Sequence, residues 1–474
     1  MRKKESEKRK VEAQDKLPIG KFLAWKSRDI SLAAVTVIIS GYLMLFCTDT
    51  LGMSAALVGT LMMVSKLFDG VTDLFAGFIV DNTNTRFGKG RPYEICIILE
   101  WICTVLLFFA DDTWALPLKS VWVFIMYTFV YSIFNTMLNA NQVPYMVRAF
   151  KGNRKVITKI SSFGGIVSMF GSMIVSILFP RLLGTLVTAS GAGSSGWRKL
   201  ILIFAIPLAT LGILRFLIVK EDPSIDAAQS SQKIKLKEVI VMLKTNKYAW
   251  ALAGVMGLFN LVVGLGAGSY YFTYIVGDIG MFGIVSALAV ILLPVMIVFP
   301  ALIKKFSVAN LFEAGAILAI IGYALVFFAK DNTVPLMIGI LLSQLISLPL
   351  SYLLALCIMD LATYNEYKGL HRMEGTTGVI SGFTSKSFGG IGTGLAGILL
   401  GAAGFVEGAA GDISAQPDSA LLMIRCLYSI IPLICMVLLF VFAMMFGGLE
   451  KKMPEIEAKV KEMKEGQEND NNQM

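Results

Sequence analysis

The sequence is poor in the residues that form metal clusters, disulfide scaffolds and catalytic relays. His371 is the only histidine, and the six cysteines form no CxxC or CxxH motif. Cysteine–histidine metal sites and a disulfide framework are therefore unsupported. No apolar segment pairs a nucleophile with a base, so a membrane enzyme is the weakest interpretation. We expect a protein that is not an enzyme, with no cofactor and no obligate protein partner.

Charged residues are equally scarce. Only 16% of the 474 residues are charged and 56% are hydrophobic, whereas a soluble domain carries about 25% charged residues. This composition excludes an ordinary soluble domain and indicates a chain that crosses a membrane several times. The net charge of +9 does not indicate a nucleic-acid partner, because the basic residues are concentrated in the tails and in the loops of one side.

Twelve apolar segments are long enough to span a bilayer, for which about 20 residues suffice. A polar stretch at 221–246 separates the first six from the last six, and such a midpoint linker is typical of two six-helix halves. We therefore predict an all-α polytopic membrane protein with the major facilitator fold, in which twelve transmembrane helices form two six-helix halves. The segments lie near 30–50, 55–79, 93–111, 119–141, 161–184, 199–219, 247–276, 282–303, 309–329, 334–359, 376–404 and 420–447.

The distribution of lysine and arginine predicts the orientation. Basic residues in short loops mark the cytoplasmic side, and this rule places both termini in the cytoplasm. We expect the protein in the plasma membrane or inner membrane of the cell. Membrane lipids and a small-molecule substrate are the expected partners. The predicted parts are a charged N-terminal tail at 1–28, an N-terminal half at 29–220, the linker at 221–246, a C-terminal half at 247–448 and a charged C-terminal tail at 449–474.

The second apolar segment carries ionisable residues on one helical face. At about 100° per residue, Lys66, Asp69, Asp73 and Gly77 align. A charge at the bilayer centre costs roughly 2.5–3.5 kcal/mol even on lenient scales, so such residues usually have a function. Two carboxylates and the Thr72 hydroxyl suit Na⁺, which prefers oxygen ligands, and two like charges in a dry site can instead hold a proton. The alternative is a purely structural salt bridge through Lys66.

Charged residues near the ends of two segments predict a cytoplasmic gate. Asp81 ends its helix where the helix dipole disfavours an anion, so it should pair with a cation in one conformational state. The alternative is that these charges only set the membrane topology. The predicted gating residues are Lys66, Gly77, Asp81, Arg86 and Arg91 in the N-terminal half, with Asp360 and Glu366 at the matching end of the tenth segment.

Polar and aromatic residues within other segments predict a substrate cavity. Lys386 lies well inside the eleventh segment and needs a carboxylate, Asp69 or Asp73, or a substrate oxygen as its partner. Aromatic rings stack on sugars, although an interfacial aromatic belt is equally compatible with the pattern. Unpaired amides are costly in a membrane, so some of those in the fourth segment should line the cavity. The predicted substrate-binding residues are Lys386, Asn139, Tyr270, Tyr271 and Tyr274.

Several motifs follow one another in a familiar order. They include Asp69-x-x-Thr72-Asp73, Gly77-x-x-x-Asp81, Arg86-Phe87-Gly88-Lys89-x-Arg91-Pro92-Tyr93 and Tyr270-Tyr271-Phe272-Thr273-Tyr274. The sequence thereby resembles the glycoside–pentoside–hexuronide:cation symporters, the melibiose permease group of the major facilitator superfamily. The resemblance implies cation-coupled uptake of a sugar-like solute, with Asp69 and Asp73 in the cation site and Lys386 as the family's eleventh-helix lysine.

The sequence departs from the family pattern mainly where sugars are held. Thr72 stands where the family usually has asparagine, and Asn135 stands where the resemblance places a fourth-helix acid. The family's sugar-binding aspartate falls at Ala33, and its fifth-helix arginine near Ser161 or Ser162. Having one carboxylate fewer near the ion favours H⁺ slightly over Na⁺. The expected cation-coupling residues are Asp69, Thr72, Asp73 and Asn135, of which the first three are the metal ligands if the ion is Na⁺.

The predicted function is secondary active transport, in which a sugar or glycoside-like solute enters the cell together with H⁺ or Na⁺ by alternating access. The missing sugar clamps leave two alternatives open. One is a transporter of a lipid-like or drug-like amphiphile on the same scaffold, and the other is a sensor that binds its ligand without moving it.

Overall fold

The chain is helical throughout the part that the computed structural model describes, which comprises residues 18–83, 85–88, 90–151, 153–191, 193–222, 245–369, 374–409 and 411–473. The only other regular pairing among these residues is an isolated bridge between Thr85 and Gly88. The predicted all-α class is therefore confirmed. Most of the predicted N-terminal tail and linker lie outside the described residues.

Residues 18–222 form long helices separated by short turns. The 3₁₀ turn Arg91–Ile95 leads into the third helix, and π-helical turns at Phe46–Thr50, Phe129–Asn135 and Gly184–Thr188 follow the first, fourth and sixth helices. The helices are α1 Ile19–Leu45, α2 Ala55–Asn82, α3 Cys96–Phe108, α4 Leu116–Thr128, α5 Thr136–Ala149, α6 Arg154–Leu183 and α7 Gly193–Ile218.

Residues 245–473 continue in the same way. A further π-helical turn lies at Phe272–Val276, and 3₁₀ turns lie at Leu288–Leu292 and Ile413–Ala415. The helices are α8 Lys247–Leu265, α9 Gly268–Tyr271, α10 Ile279–Ala287, α11 Leu293–Lys305, α12 Val308–Ala329, α13 Thr333–Gln344, α14 Ser347–Tyr367, α15 Glu374–Ala402, α16 Asp418–Tyr428, α17 Ile430–Glu450 and α18 Met453–Gln473.

Eight helical stretches of the described residues are long and apolar enough to cross a membrane. They coincide with the first, the fourth to seventh, the ninth, the tenth and the twelfth predicted segments. The other four predicted segments also fall on helices, namely α2, α3 with its preceding 3₁₀ turn, α10 with α11, and α15. The chain is therefore a multi-pass membrane protein.

Helix α1 begins at Ile19, earlier than the predicted start near residue 30. Trp25 and Arg28 are fully buried, so the end of the predicted tail is part of the first helix. In the sequence, the charged residues at the start of α1 look like part of a polar tail. In the structure, opposite charges from neighbouring segments neutralise them.

Two glutamates cap helix starts that lie far away in sequence. Glu221, which follows α7, accepts hydrogen bonds from the backbone N–H groups of Gly90 and Arg91 just before α3. Glu450 at the end of α17 accepts from the N–H groups of Val308 and Ala309 at the start of α12, at 2.7 and 3.0 Å. A carboxylate at a helix N-terminus satisfies unpaired N–H groups and complements the helix dipole.

Glycines allow helices α8 and α15 to approach closely. A Cβ atom at Gly264 of α8 would lie 2.1 Å from the carbonyl oxygen of Gly389 in α15, and one at Gly392 would lie 2.2 Å from that of Leu261. Backbones this close leave no room for a side chain, as is common where membrane helices pack. The Gly389–Gly394 stretch of α15 therefore serves helix packing.

The described residues form two compact units. The first contains the residues up to 222 together with Gly268–Ala287 and 397–417, and one of its apolar clusters surrounds Trp25, Tyr145 and Val219. The second contains 245–267, 288–396 and the residues from 418 onward within the described ranges. In the second unit, helices α8, α12, α14 and α17 share one apolar core, against which Met453, Ile456 and Val460 of α18 also pack.

Candidate functional site

Asp69 is a buried carboxylate on the predominantly apolar helix α2. Its side chain is 7% exposed, and its Oδ1 atom accepts a hydrogen bond from Thr136 Oγ1 at 2.5 Å. Thr72 Oγ1 donates to the backbone carbonyl of Asp69 at 3.0 Å, a local bond that threonine often makes within helices. The structure thus holds Asp69 through a partner on α5, while the Thr72 hydroxyl is engaged with the backbone.

Lys66 lies one helical turn before Asp69 on the same helix. Its Nζ atom is 6.0 Å from the centre of the Tyr131 ring, a favourable position for a cation over an aromatic face. The Tyr131 hydroxyl shares a 2.8 Å hydrogen bond with Ser40 Oγ of α1. This part of the first unit therefore combines a carboxylate, an ammonium group and two hydroxyls.

Asn135, next to Thr136 in the chain, contacts a second buried carboxyl. Its Nδ2 atom donates to Glu100 Oε1 of α3 at 3.4 Å, and its Oδ1 atom accepts from Asn139 Nδ2 at 2.6 Å. Glu100 is fully buried, whereas Asn139 is exposed. The consecutive residues Asn135 and Thr136 thus each hold one acid by a hydrogen bond, Asn135 holding Glu100 on α3 and Thr136 holding Asp69 on α2.

A π-helical turn, Phe129–Asn135, precedes this pair of contacts. A π-helical turn contains an extra residue and changes the direction of the side chains that follow, and such turns are frequent at functional sites. Asn135 is its last residue and Thr136 begins α5. The turn therefore sets which helix each of these two side chains meets.

Two of the tyrosines predicted to bind substrate contact the π-helical turn Phe46–Thr50, which carries a third acid of the first unit, Asp49. Tyr274 donates to Asp49 Oδ2 at 2.5 Å, and the Tyr270 hydroxyl shares a 2.8 Å hydrogen bond with Thr48 Oγ1. Tyr270, Tyr271 and Tyr274 are all buried. In this conformation Tyr270 and Tyr274 connect the π-helical turn Phe46–Thr50 to the segment around α9, and none of the three rings is open to a ligand.

A buried charge cluster joins α1, α5, α7 and the turn before α3. Arg215 places its guanidinium 4.0 Å from the Trp25 ring and donates to Asp29 Oδ1 and Gln142 Oε1, each at 2.7 Å. Arg28 and Arg215 both approach Glu94 Oε2, at 3.5 and 3.8 Å. The members, for which we keep the name buried charge cluster, are Lys26, Arg28, Asp29, Glu94, Gln142 and Arg215.

The two arginines predicted to gate the transporter differ in their surroundings. Arg91 donates through Nε to the carbonyl oxygen of Phe216 at 2.7 Å and lies over that residue's ring. Arg86 is exposed and lies over the ring of Phe87. Arg91 is therefore packed against the end of α7, whereas Arg86 remains at the surface.

Three predicted residues of the C-terminal half belong to the second unit, whereas Tyr270, Tyr271 and Tyr274 belong to the first. Lys386 of α15 is half-buried, as are Asp360 and Glu366 of α14. Asp73, Gly77 and Asp81 lie in α2, and the structure describes these three residues only as part of that helix. The roles assigned to all six stay predictions.

Sequence reasoning missed Glu100 and Thr136, as well as most of the buried charge cluster. Glu100 is the only acid in the apolar stretch Cys96–Phe108, so the argument applied to Asp69 would have found it. Thr136 gave no signal, because a threonine in a membrane helix commonly bonds its own backbone. The charge cluster was hidden because its members stand near the segment ends.

Comparison with known proteins places this geometry in context. The family profile described as MFS/sugar transport protein matches residues 27–449. The isoprimeverose transporter of Lactiplantibacillus pentosus is 26% identical over 365 residues, which cover 75% of this chain and 74% of that protein. The glucuronide carrier protein homolog of Escherichia coli K12 is 25% identical over 446 residues, covering 90% and 92% respectively.

Among solved structures, a bacterial homologue of the human drug peptide transporters matches with a TM-score of 0.63 at 12% sequence identity. The match covers 92% of this chain and 99% of that one. At this identity the likeness concerns the fold alone, and it agrees with the predicted arrangement of helices.

Proposed function

Because the chain belongs to the MFS/sugar transport protein family, and is thus a membrane transporter rather than an enzyme, we propose that it carries a sugar or glycoside into the cell together with H⁺ or Na⁺. The observation that carries the proposal is Asp69, buried in a membrane helix and held by Thr136 with Lys66 one turn away. A buried carboxylate of this kind is retained only where it is neutralised or has a function.

The coupling ion acts through Asp69 together with Asp73 on the same helix. Two carboxylates one turn apart repel each other unless a cation or a proton reduces their charge. Ion binding therefore favours the state in which both acids are desolvated, and release of the ion favours the state in which they are hydrated. A ligand shifts such an equilibrium only by its different affinity for the two states.

The substrate class follows from the polar groups and from the relatives. Ser40, Tyr131, Asn135 and Asn139 offer hydroxyl and amide groups, which suit the hydroxyls of a sugar. The relatives described above are an isoprimeverose transporter and a glucuronide carrier homologue. We extend a sugar or glycoside substrate to this chain on those grounds, and Lys386 stays a predicted substrate-binding residue.

The remaining predictions complete the proposal. We place both termini in the cytoplasm and the protein in the plasma or inner membrane, because basic loops mark the cytoplasmic side. The two six-helix halves alternate access around the substrate, and the charged residues near Arg91 and Asp360 gate the cytoplasmic side. We assign no cofactor beyond the coupling ion.

Thermal unfolding of the detergent-purified protein tests this function. Glycosides, pentosides and hexuronides are added singly, with and without Na⁺ and at two pH values. We expect one sugar to raise the unfolding temperature only when the coupling cation is available, because a ligand that binds the folded state stabilises it. Asp69→Asn should abolish the joint effect, while Asp331→Asn, which changes an exposed loop acid, should retain it.

Two outcomes would contradict the proposal. If no sugar shifts the transition under any ion condition while amphiphiles do, the substrate is lipid-like or drug-like. If a sugar stabilises the protein equally with and without cation, and also in Asp69→Asn, the binding is uncoupled from ions and symport is wrong.

A further inference from the structure

Glu100 of the first unit is a buried acid with little compensation for a negative charge. Its side chain is fully buried within the apolar helix α3. Oε1 receives one long hydrogen bond of 3.4 Å from Asn135, and Oε2 has no hydrogen-bond partner among the described residues. A carboxylate with so little compensation is strongly disfavoured in a low-dielectric interior, whereas a carboxylic acid has no charge to compensate.

The contrast with Glu94, six residues earlier, makes the isolation clear. Glu94 is also fully buried and its Oε2 atom likewise has no hydrogen bond among the described residues, but that atom lies 3.5 Å from Arg28 Nε and 3.8 Å from Arg215 Nη1. Its Oε1 atom accepts from Asn141 at 3.1 Å. Two buried glutamates one and a half turns apart thus have opposite environments, and only Glu94 is equipped to remain ionised.

The titratable and charged groups around Glu100 do not neutralise it. Arg28 of α1 acts on it electrostatically but makes its ion pairs with Asp29 and Glu94 of the buried charge cluster. Tyr131 is the facing group on the π-helical turn, and Cys96 and Cys103 lie on the same helix as Glu100. None of these three supplies a positive charge.

A polar route connects Glu100 with the outside of the unit. Asn135 contacts the carboxyl on one side and Asn139 on the other, and Asn139 is exposed. An amide can accept and donate hydrogen bonds at once, so it can order a water molecule or a substrate hydroxyl next to the acid. The route passes within one residue of Thr136, which holds Asp69.

We propose that Glu100 is a proton-binding site of the transport cycle, protonated in the conformation described here and reached through Asn135 and Asn139. When the proton leaves Oε2, the resulting carboxylate attracts Arg28 and competes with Asp29 and Glu94 for it. Proton release at Glu100 thereby loosens the buried charge cluster that joins α1, α5 and α7. The inference deepens the proposed symport and depends on it only for the role in transport.

Infrared difference spectroscopy of the purified full-length protein tests the protonation directly. During a pH titration, a buried carboxylic acid gives a C=O band that a carboxylate does not give. We expect the band at neutral pH in the wild type and its loss in Glu100→Gln. Glu94→Gln is the matched control, since it makes the same chemical change at an ion-paired buried glutamate and should leave the band in place.

Glu100→Asp keeps the experiment decisive if the glutamine variant does not fold, because it retains a carboxyl group one methylene shorter. We expect the band to persist in Glu100→Asp at a changed frequency. A band that is missing from the wild type, or unchanged in both Glu100 variants, would overturn the proposal and indicate an ionised Glu100 paired with Arg28.

The role in transport is tested by the pH profile of sugar uptake into proteoliposomes. Loss of one proton changes the apparent affinity for the sugar by up to about tenfold per pH unit, and Glu100→Gln should flatten that dependence. An unaltered profile in Glu100→Gln would overturn the role in transport. Absence of uptake in all proteins, with the infrared band present, would instead contradict the proposed function and leave the proton site supported.

Discussion

At the scale of single residues, the environment of each acid decides what it can do. Asp69 is buried but receives a hydroxyl hydrogen bond and shares its helix face with Lys66. Such a donor stabilises the ionised carboxylate more than the protonated form. The Asp69 carboxylate therefore has a hydroxyl donor, whereas Oε2 of Glu100 has no hydrogen-bond partner among the described residues.

Replacing Thr136 tests this difference. Thr136→Val removes the donor to Asp69 with little change in shape, and leaving a buried carboxylate without it should lower the free energy of unfolding by about 1–3 kcal/mol. Thr136→Ser retains a hydroxyl and should behave much like the wild type. The measurement is thermal unfolding in detergent at neutral pH.

The pH dependence provides the control. Because Asp69 loses its charge when protonated, the destabilisation of Thr136→Val should diminish as the pH is lowered. An equal unfolding temperature for the valine and serine variants at neutral pH would mean that the Thr136 bond does not stabilise an ionised Asp69.

The sequence predicts some of these residues and not others for physical reasons. Asp69 is visible because a charge inside an apolar segment stands out at once. The hydrogen-bond partners of Asp69 and Tyr274 cannot be read from the sequence. Thr136 directly follows one π-helical turn and Asp49 lies within another, and each turn changes the direction of the side chains. A rule of 3.6 residues per turn cannot anticipate such an extra residue.

At the scale of helices, close backbone contacts determine where elements can sit. Helices α8 and α15 approach through Gly264 and Gly392, at distances that exclude a side chain at either position. The two glutamate caps fix the starts of α3 and α12 from distant helices. The apolar segments are readable from hydropathy alone, but these contacts depend on which helices become neighbours.

A pair of glycine substitutions on α15 separates packing from helix propensity. Alanine favours a helix by about 1 kcal/mol over glycine, so Gly382→Ala, which meets nothing within 4 Å, should be neutral or stabilising. Gly392→Ala places a Cβ 2.2 Å from the carbonyl oxygen of Leu261 and should markedly reduce the folded yield.

Size-exclusion profiles and unfolding temperatures of the two purified variants measure their folded yield and stability. Similar behaviour of Gly382→Ala and Gly392→Ala would show that α8 and α15 do not pack as closely as described.

At the scale of the whole molecule, we propose a symporter in which the described coupling acids, Asp69 and Glu100, are buried. Family membership and the helical architecture were both predictable, because hydropathy, the midpoint linker and the motif around Asp69 belong to one pattern. The substrate was not, because the charged residues to which the resemblance assigns sugar binding are missing at Ala33 and near Ser161 or Ser162. The residues proposed to bind substrate in their place come from different helices, and only the folded structure shows which of these side chains are neighbours.

The measurement that tests the account most directly is sugar uptake into proteoliposomes under imposed ion gradients. An inward H⁺ or Na⁺ gradient should drive accumulation of one glycoside, pentoside or hexuronide, and Asp69→Asn should abolish accumulation while leaving the protein folded. Asp331→Asn serves as the matched control. Accumulation that is undiminished in Asp69→Asn, or that neither ion gradient affects, would contradict coupling through this carboxylate.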